Sequence, residues 1–380
     1  MTRRRSHSAL TIALFVVLTM LGALFLFAIG IDALEGRADF PFYADSTTYH
    51  EAARGDLAGI DSLADMLGVT GNYLGPLLVL RLTGENYYLV MLANAAMMFG
   101  SIASIARTLK LSSLLLTALL FLNPLTVSSL LSVNKEVLSL MFVALLLRAF
   151  TTRSWLLLAL AALLSVLVRW QLTLVLLLLI GLVAPSASRR PGRRLLVVLG
   201  LLAALSAMYV ALLPVFAPIR ASFDLSVSEY EGSGLYEWLV GWQDVGAYWA
   251  IFPMKAAHLL FGLGLRFDRL IAPVDLYNDV VQLLHSTTTL LMFIAIWRAR
   301  RLRLDNDLVY ISVIYIAVFA LSPIYSPRYF YPVYVLWAIA LAARIPDVKL
   351  FRPKVRRGTR RLDHSNPTAI APMQSPIGTP

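Results

Sequence analysis

The sequence contains no cysteine. That excludes disulfides, thiolate nucleophiles and cysteine metal sites, and it removes cysteine usage as a marker of redox compartment. Charge is also scarce: only 14% of the 380 residues are Asp, Glu, Lys or Arg, far below the share that dresses the surface of a soluble domain. Acidic residues are the scarcer sign, 22 against 33 basic ones, and the net charge is +11. In a soluble chain that excess would suggest nucleic acid. Here the basic residues gather in short connections between apolar runs, which is the pattern of membrane topology, and no nucleic-acid partner is expected. What the chain has in abundance is apolar surface, with 59% hydrophobic residues. It reads as an all-α, polytopic integral membrane protein.

Arg3, Arg4 and Arg5 precede an unbroken apolar run from Leu10 to Ile31, long enough to cross a hydrocarbon core of about 30 Å as an uncleaved signal anchor. Further spans are predicted near Asn86–Ala106, Leu111–Leu131, Glu136–Phe150, Trp155–Val168, Leu172–Ala184, Leu195–Phe216, Val280–Trp297, Leu308–Leu321 and Tyr329–Ala343. The basic connections alternate, so about ten spans with both termini inside satisfy the positive-inside rule. Residues 1–343 then form the membrane domain, and 344–380 a basic, proline-containing cytoplasmic tail expected to be disordered. Residues 32–85 and 217–277 lie outside. Both carry an acidic bias. In the first, Asp61–Leu67 reads as a short interfacial helix and Asn72–Leu82 as an interfacial or re-entrant piece. In the second, the apolar, Gly-rich patch Tyr248–Leu265 is not counted as a span, because that would put the basic run Trp297–Arg303 on the wrong side. No internal repeat is evident.

This topology sends four polar clusters, far apart in sequence, to one outer face. They are the Tyr43-Ala44-Asp45-Ser46-Thr47-Thr48-Tyr49-His50 stretch, Asn134-Lys135-Glu136, Arg169-Trp170-Gln171, and Ser326-Pro327-Arg328-Tyr329. Ionisable groups at the edge of a span are costly unless paired or functional, which makes Lys135, Glu136, Arg169 and Arg328 site candidates. Asp45 could act as a general base, with His50 and Glu136 as further acid–base candidates. Asp45 could also hold a divalent cation, Mg or Mn, together with His50 or Glu136. Lys135, Arg169 and Arg328 suit a phosphate or diphosphate, with Gln171, Tyr329 and Tyr49 as neighbouring substrate contacts and the aromatic faces available to a sugar.

The order of these features resembles the GT-C superfamily of membrane glycosyltransferases. The features are a first span followed by an outer loop bearing Asp45, a span ending Asn123-Pro124 that leads to Asn134-Lys135-Glu136, Arg169 at a later outer turn, and Arg328-Tyr329 before Pro332. The chain looks like bacterial members related to protein O-mannosyltransferases and aminoarabinose transferases. The resemblance implies a polyprenyl-phosphate-linked sugar donor, a lipid, glycan or protein acceptor, and chemistry at the outer face of the cytoplasmic membrane. It makes Asp45 the match for the catalytic carboxylate and Arg328 with Tyr329 the match for a late phosphate contact. Asp45 is followed by Ser46 rather than by a second carboxylate, a departure that bears on any metal. The Asn-Lys-Glu element also invites comparison with surface-polysaccharide polymerases and ligases. A transporter or lipid flippase would be expected to place ionisable groups near the bilayer middle, whereas nearly all of these sit at span ends.

Overall fold

The computed structural model describes residues 2–30, 45–54, 73–183, 191–214, 234–262, 280–324, 326–343 and 348–350. Tyr43, the expected interfacial piece at Asp61–Leu67, most of the outer segment 217–277 and most of the tail fall outside them. Among the described residues every regular element is helical. The helices are α1 (Thr2–Ala28), α2 (Ser46–Arg54), α3 (Leu74–Thr83), α4 (Tyr87–Leu109), α5 (Ser113–Phe121), α6 (Pro124–Leu131), α7 (Lys135–Thr152) and α8 (Trp155–Val168). They continue with α9 (Trp170–Leu178), α10 (Pro191–Ala211), α11 (Gly234–Asp244), α12 (Tyr248–Phe261), α13 (Gln282–Arg298), α14 (Asp307–Phe319) and α15 (Tyr331–Ala342).

Local sequence explains the boundaries. Asn86, Ser112, Asn123, Asn134, Ser154 and Asn306 each sit in extended backbone, and their side chains accept hydrogen bonds from N–H groups of the first helical turn. Without those caps the exposed donors would have no partner in an apolar setting. Gly84 and Gly262 close α3 and α12 in the left-handed conformation that a glycine adopts without strain.

Three helices are long and apolar enough to cross a membrane: α1 over Ala9–Ala28, α4, and α10. Their free faces suit lipid, since Leu21, Leu24 and Phe27 of α1 and Leu195, Leu196 and Leu199 of α10 are exposed. The run expected to span once from Leu111 to Leu131 does not run straight. It is two helices, α5 and α6, bent by 90° at Asn123-Pro124, a broken span or a re-entrant loop. The cause is local: Pro124 has no N–H to continue α5, and Asn123 caps the new helix by accepting from Leu125 N at 3.0 Å. Several other expected spans are shorter helices, such as α8 with 14 residues and α14 with 13.

α7, α14 and α15 are apolar nearly all round and form the centre of the packing. α7 packs on α4 and α8, and α15 packs on α13 and α14. A polar node ties α10 to the beginning of α14. Arg194 Nη2 meets Asp307 Oδ1 at 2.5 Å, and Asp307 Oδ2 accepts from Leu350 N at 2.6 Å. Packing therefore reaches past residue 343, into what sequence alone assigned to the tail.

Candidate active site

The polar clusters reach one place by separate local devices. Asp45 immediately precedes α2, and Tyr49 N donates to its carbonyl at 3.0 Å, so Asp45 and Tyr49 lie one turn apart on the same face. Asn134 accepts from Glu136 N at 3.0 Å and starts α7 there, placing Lys135 and Glu136 in its first turn, where the helix dipole favours the carboxylate. Asn94 of α4 steadies the approach by donating to Ser132 O at 2.8 Å. Arg169 occupies the single extended residue between α8 and α9. Arg328 and Tyr329 lie in a short 3-10 turn, Pro327–Phe330, that leads into α15.

The side chains form a continuous network. Arg328 Nη2 donates to both oxygens of Asp45, each at 2.8 Å. Tyr49 Oη donates to Asp45 Oδ2 at 3.1 Å. Arg169 Nη2 donates to Glu136 Oε1 at 3.2 Å, and this pair is almost fully buried. The Tyr329 ring joins the two ion pairs, with the Arg169 guanidinium 4.3 Å and the Arg328 guanidinium 5.6 Å from its centroid. Lys135 Nζ lies 5.6 Å from the Tyr49 ring and 5.2 Å from the Tyr73 ring. These five charged groups comprise three cations and two carboxylates, so the cluster has one cation beyond the charge of its own acids.

Electrostatics follow from this arrangement. Burial works against ionisation of Asp45, but Arg328, Lys135 and Arg169 outweigh it and hold the carboxyl at about 2. Lys135 stands just ahead of the apolar run of α7. Burial first and Arg169 second bring its ammonium down to about 7, although Asp45 and Glu136 pull the other way. Burial and the charge of Asp45 push the Tyr49 phenol well above its ordinary value. Tyr49 is therefore a hydrogen-bond donor to Asp45 and not an acid in the neutral range.

Of the residues singled out from sequence, Asp45, Tyr49, Lys135, Glu136, Arg169, Arg328 and Tyr329 come together. His50 does not join them; its ring packs on Tyr87, with centroids 4.8 Å apart. Gln171 is the second residue of α9, and its Oε1 has no hydrogen-bond partner among the described residues. Among the described residues the donor set is a poor match for a divalent cation. Such an ion takes about six oxygen ligands, yet both Asp45 oxygens face Arg328, and the described residues hold no group of three His, Cys, Asp or Glu.

Sequence reasoning missed three contributors. Tyr73 sits beneath Lys135, and Tyr315 of α14 donates to Tyr329 O at 2.9 Å. His285 of α13 is the third. Its Nε2 lies 3.2 Å from Pro327 O, and its Nδ1 lies 2.8 Å from Asn123 Nδ2. Because a carbonyl can only accept, Nε2 carries the proton and Nδ1 accepts from the Asn123 amide. His285 thus links the bend between α5 and α6 to the turn that carries Arg328. A histidine in the first turn of α13, at the edge of a predicted span, was the available signal.

No protein-family profile, curated protein or solved structure matches this chain.

Proposed function

We propose that the chain is a membrane glycosyltransferase of the GT-C type, moving a sugar from a polyprenyl-phosphate-linked donor to a hydroxyl-bearing acceptor at the outer face of the cytoplasmic membrane. The observation that carries this reading is the meeting of Asp45 with Arg328, 283 positions apart, beside Lys135 and the buried Arg169–Glu136 pair. In the proposed reaction Asp45 takes the proton of the acceptor hydroxyl, and the acceptor oxygen attacks the anomeric carbon. The bond from that carbon to the phosphate oxygen breaks, and polyprenyl phosphate leaves with the electron pair. Arg328 and Lys135 bind the phosphate and the charge that develops on it; Glu136 orients Arg169, which positions Tyr329 and completes the positive field. Exposed apolar faces of α1 and α10 support a lipid environment for the donor's long chain. The topology of about ten spans with both termini inside belongs to this proposal.

A second reading is a surface-polysaccharide polymerase or ligase acting on a diphosphate-linked glycan. Its support is the pair of guanidiniums on one tyrosine ring, which suits a ligand with two phosphates. Membranes bearing the protein, given a labelled polyprenyl-phosphate monosaccharide, test the first reading: transfer by the parent and none by Asp45→Asn is the expected result. Chain extension from a diphosphate-linked oligosaccharide, with no turnover of any monosaccharide donor, replaces it with the second.

A further inference from the structure

Asp45 and Arg328 are assigned opposite tasks in the reaction above, yet they occupy each other. Arg328 Nη2 spans both carboxylate oxygens at 2.8 Å, and Tyr49 adds a third hydrogen bond at 3.1 Å. A carboxylate held this way is a weak base, because every donor on it stabilises the charged form. An arginine held this way presents less of its fork to an anion. Lys135 differs from both. It leans on the rings of Tyr49 and Tyr73 and is ion-paired to neither Asp45 nor Glu136. The Asp45 carboxylate is the most open part of the ion pair, with its side chain 34% exposed against 12% for Arg328.

From this geometry we infer that the Asp45–Arg328 ion pair is a latch, opened when the anionic group of an incoming lipid phosphate takes Arg328 from Asp45. The inference rests on the proposed function and adds its regulation. The order of events follows from the placement of the charges. Lys135, which has no ion-paired carboxylate among the described residues, draws the phosphate to the cluster. The phosphate then competes with Asp45 for the Arg328 guanidinium, a planar donor that serves either anion through charge-assisted hydrogen bonds. Once Arg328 has turned to the phosphate, Asp45 keeps Tyr49 as its one direct side-chain donor among the described residues. With the Arg328 charge turned away and the phosphate's negative charge beside it, the proton affinity of Asp45 rises toward that of a working base, against the remaining pull of Lys135 and Arg169. An empty site therefore holds Asp45 inactive, and the donor itself makes the base. The exchange breaks one ion pair and makes another, with no covalent change.

The latch has a consequence that a purely attractive site lacks: an anionic ligand competes with Asp45, so removing the carboxylate charge improves binding. The full chain purified in detergent is titrated with farnesyl phosphate, with farnesol as the uncharged control, comparing the parent, Asp45→Asn and Arg328→Gln. If the resting pair taxes binding as a closed state does, Asp45→Asn binds farnesyl phosphate about tenfold more tightly than the parent, with farnesol binding unchanged and sugar transfer abolished. Arg328→Gln loses the preference for the phosphate. Equal or weaker binding by Asp45→Asn, in a parent that prefers farnesyl phosphate to farnesol, overturns the latch and leaves the phosphate reading standing. No preference for farnesyl phosphate in any of the three proteins overturns both. Asp45→Ser, which keeps an acceptor for Tyr49 without the charge, gives the same comparison if Asp45→Asn fails to fold.

Discussion

Tyr329 carries the Arg169 guanidinium on its ring, 4.3 Å from the centroid, and through the same ring it touches Arg328. Two ion pairs, Glu136–Arg169 within the first half of the chain and Asp45–Arg328 between the halves, are thereby joined by one side chain. The attraction belongs to the face of the ring, so Tyr329→Phe should keep it and Tyr329→Leu should not. Tyr329→Leu is expected to lower sugar transfer several-fold, equivalent to about 1–2 kcal/mol of lost cation–π attraction at a desolvated site. Steady-state transfer by the three proteins at equal folded concentration checks this. Equal losses in Phe and Leu variants would move the role to the hydroxyl.

Among the described residues Glu136 is the one carboxylate on Arg169, and both are buried. Glu136→Gln leaves a buried guanidinium without its counter-charge, so it should cost roughly 3–5 kcal/mol of stability. Arg169→Met combined with Glu136→Gln should recover much of that loss, because neither charge then remains in the interior. Thermal unfolding in detergent, followed by tryptophan fluorescence, measures both variants. A double variant no more stable than Glu136→Gln would show that the pair does not act as a unit.

The pH dependence separates ligand binding from folding. Lys135 has its ammonium lowered to about 7, so binding of an anionic ligand should weaken as pH rises through that value, and Lys135→Arg should remove the limb. Stability moves in the opposite direction. Between about 7 and the ordinary value of 10.5, the unfolded chain binds the proton more readily than the folded one, so this group's contribution to folding improves as pH rises. Asp45 acts at the acid end. Its carboxyl is lowered from 3.8 to about 2, so its contribution is complete above about 4 and is lost as pH falls toward 2. Farnesyl phosphate titrations and unfolding curves taken at the same pH values check both signs.

His285 holds the carbonyl that precedes Arg328. His285→Phe fills the space but leaves Pro327 O and the Asn123 amide without this partner in a buried setting, at a cost of about 1–3 kcal/mol for each group. His285→Gln can restore one donor. Transfer activity should fall in the order parent, Gln, Phe, and the farnesyl phosphate affinity of the Phe variant should fall with it. Unchanged affinity in a destabilised Phe variant would confine His285 to folding.

A chain without cysteine lends itself to single-cysteine labelling. In the proposed topology Thr152→Cys faces the cytoplasm and Val245→Cys faces outward; both native residues are exposed. A membrane-impermeant maleimide should label the second in intact cells and the first only after lysis. The reverse pattern would invert the topology and remove Asp45 from the outer face.

The helical class of this protein was legible in its composition, since a bilayer permits a chain this apolar few other ways to satisfy its backbone. Helix starts were legible too: Asn86, Asn134 and Asn306 cap the helices they precede, a local effect of one side chain on the next turn. The polar clusters could be nominated from sequence because a charge at the edge of an apolar run has few ordinary explanations. Tertiary structure alone decided their pairing. Whether Arg328 meets Asp45 or Glu136 depends on the packing of α2, α7 and the Pro327–Phe330 turn, and sequence distance carries no information about it. The same holds for His50, which stands five residues after Asp45 yet packs on Tyr87: five positions on a helix is a rotation of about 140°, away from the Asp45 face. The 90° bend at Asn123-Pro124 lies between the two cases. A proline signals a break in one residue, but the direction taken by the next helix is set by what it packs against, here with His285 of α13 bonded to the bend.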